Sequence, residues 1–150
     1  MSRVAIRSVR MGTYLGLDGR NITSFTHSGS GRAFPQTFIG QWEVFRTHSL
    51  GDGVTAFESA HFPGVYLRLA PGDVGQGSLV MPGGGKVNAQ YGCFANEKFR
   101  MRMADGEKGA RRIVWIESNH CPGRYLRMGN NVNVQGIMGV LEEFQIIPIV

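Results

Sequence analysis

The residues best able to hold a metal or move a proton are four histidines, His27, His48, His61 and His120. None stands in an H-E-x-x-H or H-x-H arrangement, the spacings that put two imidazoles on one ion, so the sequence predicts no metal centre. Glycoside hydrolysis needs two carboxylates about 5–10 Å apart across one bond. Glu58 and Glu117 are the obvious pair, but they occur in matching phrases, Phe57-Glu58-Ser59 and Ile116-Glu117-Ser118. Copies of one repeat cannot converge on one bond, and each reads as an outward strand residue paired with an arginine. Gly83-Gly84-Gly85-Lys86 has Val80 where a P-loop has its first glycine and Val87 where it has Ser or Thr. Gly77-Ser78-Leu79 lacks the flanking glycines of a nucleophile elbow. The chain is expected to be no enzyme and to need no cofactor.

Residues suited to gripping are easier to find. A shallow sugar site needs planar polar side chains for the hydroxyls and an aromatic or apolar surface under the ring. Asp18, Arg20 and Asn21 follow one Tyr-Leu pair, Asn130, Asn131 and Asn133 follow another, and Asp73 and Gln76 are the looser counterpart after a third. These are the candidate carbohydrate residues, although turns favour Asn and Asp for backbone reasons alone. The sequon Asn21-Ile22-Thr23 carries little without a secretion signal. Phe34-Pro35-Gln36-Thr37-Phe38-Ile39 is unusually apolar for a loop. It either packs over the core or faces a protein partner through Phe34, Pro35, Phe38 and Ile39.

The elements that must position these groups repeat three times. Ile6-Arg7-Ser8 leads to Gly12-Thr13-Tyr14-Leu15, Phe57-Glu58-Ser59 to Pro63-Gly64-Val65-Tyr66-Leu67, and Ile116-Glu117-Ser118 to Pro122-Gly123-Arg124-Tyr125-Leu126. Each copy is an alternating strand, a glycine turn and a second strand. A further alternating strand with an aromatic near its head follows at Gln41–Phe45, Lys98–Met103 and Glu143–Ile147. One such unit cannot bury its apolar face, whereas three around a pseudo-threefold axis share one core and cover one another's edges. The expectation is all-β: a single β-trefoil domain over 1–150, with three pseudo-symmetric repeats of about four strands at roughly 1–50, 51–108 and 109–150. Trp42, Phe99 and Phe144 are expected to plug the barrel, with variable loops near 23–40 and 70–97.

Composition sets the remaining bounds. The 22 glycines and 6 prolines are scattered, as many tight turns require. Net charge is +5, yet the basic residues are dispersed among acids and no nucleic-acid motif accompanies them, which argues against nucleic acid as the partner. Cys93 and Cys121 are too few for a disulfide framework and are expected as free thiols. No apolar run reaches the roughly 18 residues of a membrane helix, so no membrane role is expected. Residues 1–10 alternate rather than forming an apolar signal segment, which gives a cytoplasmic expectation.

Over essentially the whole chain these residues resemble lectin-like β-trefoils of the ricin-B and fascin type, and Gln41-x-x-Val44 looks like their Q-x-W element. The phrases over 57–68 and 116–127 are similar to the arabinose-binding trefoil modules of fungal arabinofuranosidases. There a histidine follows Tyr-Leu-Arg, whereas Leu69 and Met128 stand here, which argues against arabinose. As a free-standing basic trefoil the chain most resembles the lectin-like light subunits of mushroom tyrosinases. That resemblance implies a non-catalytic companion of the tyrosinase (polyphenol oxidase) catalytic subunit, with a mannose-type carbohydrate affinity of its own. A free carbohydrate-binding lectin and a trefoil protease inhibitor are the alternatives.

Overall fold

The computed structural model describes residues 2–104 and 112–150. Among them, twelve strands and three short 3-10 helices follow one order three times over. The first lobe holds β1 (Arg3–Ser8), β2 (Tyr14–Asp18), β3 (Arg32–Gln36), the 3-10 helix Gln41–Glu43 and β4 (Phe45–Gly51). The second holds β5 (Val54–Ser59), β6 (Val65–Ala70), β7 (Lys86–Tyr91), Ala95–Glu97 and β8 (Phe99–Met103). The third holds β9 (Ile113–Ser118), β10 (Tyr125–Met128), β11 (Val132–Gln135), Val140–Glu142 and β12 (Glu143–Pro148).

Antiparallel pairing joins β1 to β4, β4 to β5, β5 to β8, β8 to β9, β9 to β12 and β12 back to β1. Six strands thus close a barrel, and closure removes its edges. The hairpins β2–β3, β6–β7 and β10–β11 stand outside it, one per lobe. This is a β-trefoil.

The repeated phrases build the turns that enter these hairpins. Ser8, Ser59 and Ser118 accept the backbone N–H of Met11, Phe62 and Cys121 at 3.1, 3.0 and 3.0 Å. Gly12, Gly64 and Gly123 then reverse the chain at φ of 71°, 82° and 81°, where a side chain is strained. Glu58 and Glu117 accept the N–H of Gly64 and Gly123, both at 2.7 Å. They brace turns in separate lobes, Glu58 against His48 and Glu117 against Arg102.

The core is filled from all three lobes. Phe45, Phe99 and Phe144, each at or beside the head of its lobe's last strand, are fully buried, with Ile6, Phe57 and Ile116 beside them. Two expectations need correcting here. Trp42 does not plug the barrel: it lies on the 3-10 helix, half-buried, and Phe45 takes the place equivalent to Phe99 and Phe144. The helix inserts one turn before the strand and turns Trp42 outward. Nor are 23–40 and 70–97 loops throughout, since β3 and β7 lie inside them. Phe34, Pro35 and Gln36 therefore belong to a strand.

Candidate functional site

The loops between the two hairpin strands differ in length among the lobes, and that difference makes the site. Residues 19–31 leave the first lobe and lie as a strap across the β6–β7 hairpin of the second. Thr26 gives its N–H to the Gln90 side-chain oxygen at 3.1 Å and takes the Gln90 amide on its carbonyl at 2.6 Å. The Asn88 amide donates to the Ser28 carbonyl at 3.0 Å, and Ser30 pairs with Ala89 through two backbone bonds of 2.8 Å. Residues 71–85 of the second lobe repeat this on β10–β11 of the third. Val80 is held by both ends of the Gln135 amide at 2.8 and 2.6 Å, Asn133 donates to the Pro82 carbonyl at 2.9 Å, and Gly84 pairs with Val134 at 2.9 and 2.8 Å. The spacing is the same in both straps: 26, 28, 30 and 80, 82, 84.

Beneath each strap lies a polar pair built on a buried arginine. Arg68 donates to Asn88 at 3.2 Å and Arg127 to Asn133 at 3.1 Å. Each arginine also stands 4.0 Å from a buried glutamate of its lobe's 3-10 helix, Glu97 and Glu142 respectively. Those glutamates fasten the helix by accepting the N–H of Phe94 at 2.7 Å and of Gly139 at 2.9 Å.

The loop of the third lobe is residues 129–131 only, too short to reach the first lobe, so among the described residues β2–β3 carries no strap. The local sequence has changed to match. Gly16 stands in register where Arg68 and Arg127 stand, and Phe34 where Asn88 and Asn133 stand. Phe34 covers Gly16, where an added Cβ would be 2.5 Å from the tip of its ring. Glu43 keeps its bond from Gly40 N–H at 2.7 Å, but among the described residues no cation pairs with it. Burial pushes its carboxyl above the ordinary glutamate value, and the Gly40 N–H offsets this only in part. Glu97 and Glu142 are also raised by burial, against a backbone N–H and the neighbouring arginine.

An open cleft of about 300 Å³ results, lined chiefly by Phe34, Gln36, Phe38, Gln41, Trp42 and Glu43. Its aromatic wall is continuous, with Trp42 6.2 Å from Phe34 and 5.7 Å from Phe62. Arg20 stacks over Trp42 at 5.0 Å and Arg32 over Phe34 at 5.6 Å. Phe38 is 59% exposed, large for an aromatic, and Ile39 beside it is exposed as well.

The sequence candidates divide by lobe. Phe34 and Phe38 line this cleft, and Arg20 reaches it by stacking over Trp42. Asp18 holds Arg20 through both oxygens, at 3.0 and 2.8 Å, and the guanidinium bond keeps its carboxyl below the ordinary value. Asn21 is exposed in the next turn at φ 63°. Pro35 is on β3, and Ile39 lies in the connection to the 3-10 helix. Asp73 and Gln76 lie on the second strap, away from the cleft, where Arg124 ties the Val74 carbonyl at 2.9 Å. Asn130 and Asn131 form the exposed β10–β11 turn, and Asn133 is engaged under the strap. Gln36, Gln41, Trp42 and Glu43 escaped the sequence reading of the site. A signal for two of them was available: Gln-x6-Glu-x-Phe occurs at Gln36, Gln90 and Gln135 alike. Among the described residues no three His, Cys, Asp or Glu side chains are grouped to hold a metal ion, and no helix is long and apolar enough to cross a membrane.

Fold and cleft together define a β-trefoil in which, among the described residues, one lobe is uncovered. No protein-family model matches the sequence, and no curated protein matches it. Solved structures do. The chain is similar to ThreeFoil, a designed 3-fold symmetric protein, at TM-score 0.73 and 15% identity, covering 98% of this chain and 99% of that one. It is similar to SeviL, solved bound to asialo-GM1 saccharide, at TM-score 0.65 and 11% identity over 97% of this chain and 96% of SeviL. The whole chain also matches part of the GlcNAcα1-4Gal releasing endo-β-galactosidase from Clostridium perfringens, at TM-score 0.70 and 11% identity. There it spans 33% of the enzyme's length. At these identities the likeness is one of fold.

Proposed function

We propose that this protein is a non-catalytic, lectin-like binding protein whose ligand face is the first lobe. The observation that carries this is the uncovered β2–β3 hairpin. Its two symmetry mates are filled by the chain's own straps, while here the polar Arg–Asn pair is replaced by an aromatic wall facing solvent. Large aromatics at the centre of an exposed patch are what partner surfaces use. The resemblance to tyrosinase light subunits supplies the partner, a tyrosinase catalytic subunit in the cytoplasm. Co-purification from the source tissue tests it: the chain should emerge with the oxidase, and Trp42→Ala should release it. Recovery solely as a free monomer overturns the association.

A second reading, a free carbohydrate-binding lectin, is favoured by one feature of the same cleft. Trp42 and Phe34 form an apolar floor flanked by the amides of Gln36 and Gln41, the combination a sugar ring requires. The fold it shares with SeviL, solved with a saccharide, supports it. Co-purification separates the two readings, since only the companion emerges with the oxidase, while calorimetry with mannose and a glycan array test the sugar affinity that both allow.

A further inference from the structure

Two occupied copies of a binding site stand in this molecule beside a vacant third. Both straps present a five-residue stretch, Thr26–Ser30 and Val80–Gly84, to the next hairpin. In both, the first residue is clasped through its N–H and C=O by one glutamine side chain. The fourth is a glycine in the left-handed region, Gly29 at φ 65° and Gly83 at φ 84°. Any Cβ at Gly29 would stand 2.6 Å from Arg68 and 2.7 Å from the Ala89 carbonyl. The fifth pairs with the backbone at Ala89 or Val134.

The first lobe retains the clasp and has lost its occupant. Gln36 is in register with Gln90 and Gln135, and its oxygen accepts the N–H of Thr37 at 3.0 Å, as theirs accept Tyr91 and Gly136 at 3.1 and 3.0 Å. Among the described residues its amide donates to nothing. Pro35 stands where Ala89 and Val134 stand. It offers an outward carbonyl and no N–H, so an occupant keeps one of the two backbone bonds at its fifth residue and strand addition cannot propagate. Charge completes the specification. Ser28, the third residue of its strap, shares a pocket with Lys86, and Arg32 holds the Lys86 position in the first lobe, exposed.

Resting on the first lobe as the ligand face, we infer that it takes an extended peptide segment of a partner protein. The segment is clasped at its first residue by Gln36, carries an acidic side chain at the third toward Arg32 and has glycine at the fourth. Phe34 and Trp42 pack against its apolar flanks. The ligand class is thus a strap supplied by another chain.

The test uses the full protein, ¹⁵N-labelled, and a synthetic peptide of residues 79–85 carrying Pro82→Asp. Titration to millimolar peptide should shift the Gln36 side-chain amide and the Trp42 indole while leaving Trp115 in place. Gln36→Ala should weaken binding roughly tenfold, the loss of two hydrogen bonds. Gly83→Ala in the peptide should weaken it as much, and Gln90→Ala in the protein should loosen Thr26–Ser30 without altering peptide affinity. No shift at millimolar peptide overturns the inference, as does binding indifferent to Gln36→Ala. If mannose or another glycan moves these resonances and the peptide does not, the inference fails while the first lobe remains the ligand face. If nothing moves them, including the oxidase, that assignment fails too.

Discussion

Three glutamates occupy one position in three lobes, and their surroundings assign them different energetic roles. Glu97 and Glu142 each face a buried arginine, whereas Glu43 faces the Phe34 ring and Gly16. Removing the charge should therefore differ in size among them. Glu43→Gln keeps an acceptor for Gly40 N–H and discards a buried charge, so it should stabilise the protein at neutral pH by about 1 kcal/mol. Glu97→Gln should stabilise it less, because Arg68 is then left without its counter-ion. Urea denaturation at neutral pH measures both. The pH dependence follows from the direction of the shifts. A carboxyl raised above the ordinary 4.5 in the fold binds protons more readily folded than unfolded, so acidification from neutrality through the raised values favours the native state. Glu58 acts in reverse. Burial raises its carboxyl, but Gly64 N–H and His48 outweigh that, and the stability it contributes is lost as pH falls below 4.5. Glu43→Gln should flatten the upper limb alone.

Among the elements, the 3-10 helices separate what is core from what is free to bind. Trp42 and Phe45 are three residues apart, yet one faces the cleft and the other the barrel axis. Phe45→Ala should cost about 3–5 kcal/mol. Trp42→Ala should cost far less while abolishing ligand binding, and paired denaturation and binding titrations read the difference. The straps make a similar contrast among glycines. Gly29→Ala and Gly83→Ala meet a close-packed hairpin at positive φ and should cost about 1–3 kcal/mol, with faster proteolysis of 19–31 or 71–85. Gly77 also has positive φ, 74°, but nothing lies near its Cβ, so Gly77→Ala should cost less. Here lies the boundary of what was legible. The hairpin entries could be read because Ser-x-x and the turn glycine act within a few residues, and local chemistry leaves a local mark. Trp42 is the largest aromatic near the strand and so mimics its anchor in the sequence, whereas the shared Glu-x-Phe sets the register. The straps were unreadable as straps, since their partners lie about sixty residues away in the next lobe.

At the scale of the molecule, the count of three decided the fold before any contact was known, because only a closed arrangement of three equivalent units satisfies the strand edges. Threefold architecture says nothing, however, about where a ligand goes. The departures from symmetry do: a short third loop, Gly16 for arginine, Phe34 for asparagine. Candidate residues chosen for polarity in all three lobes are therefore scattered, and of them only Arg20 reaches the cleft, by stacking on Trp42. Two straps also fix the number of grips. A trefoil with three open lobes can hold three ligands at once and cross-link the surfaces that display them. With two lobes sealed from within, the proposed ligand face gives this protein a valence of one. It should coat a partner or a glycan surface without agglutinating cells or precipitating a polyvalent ligand.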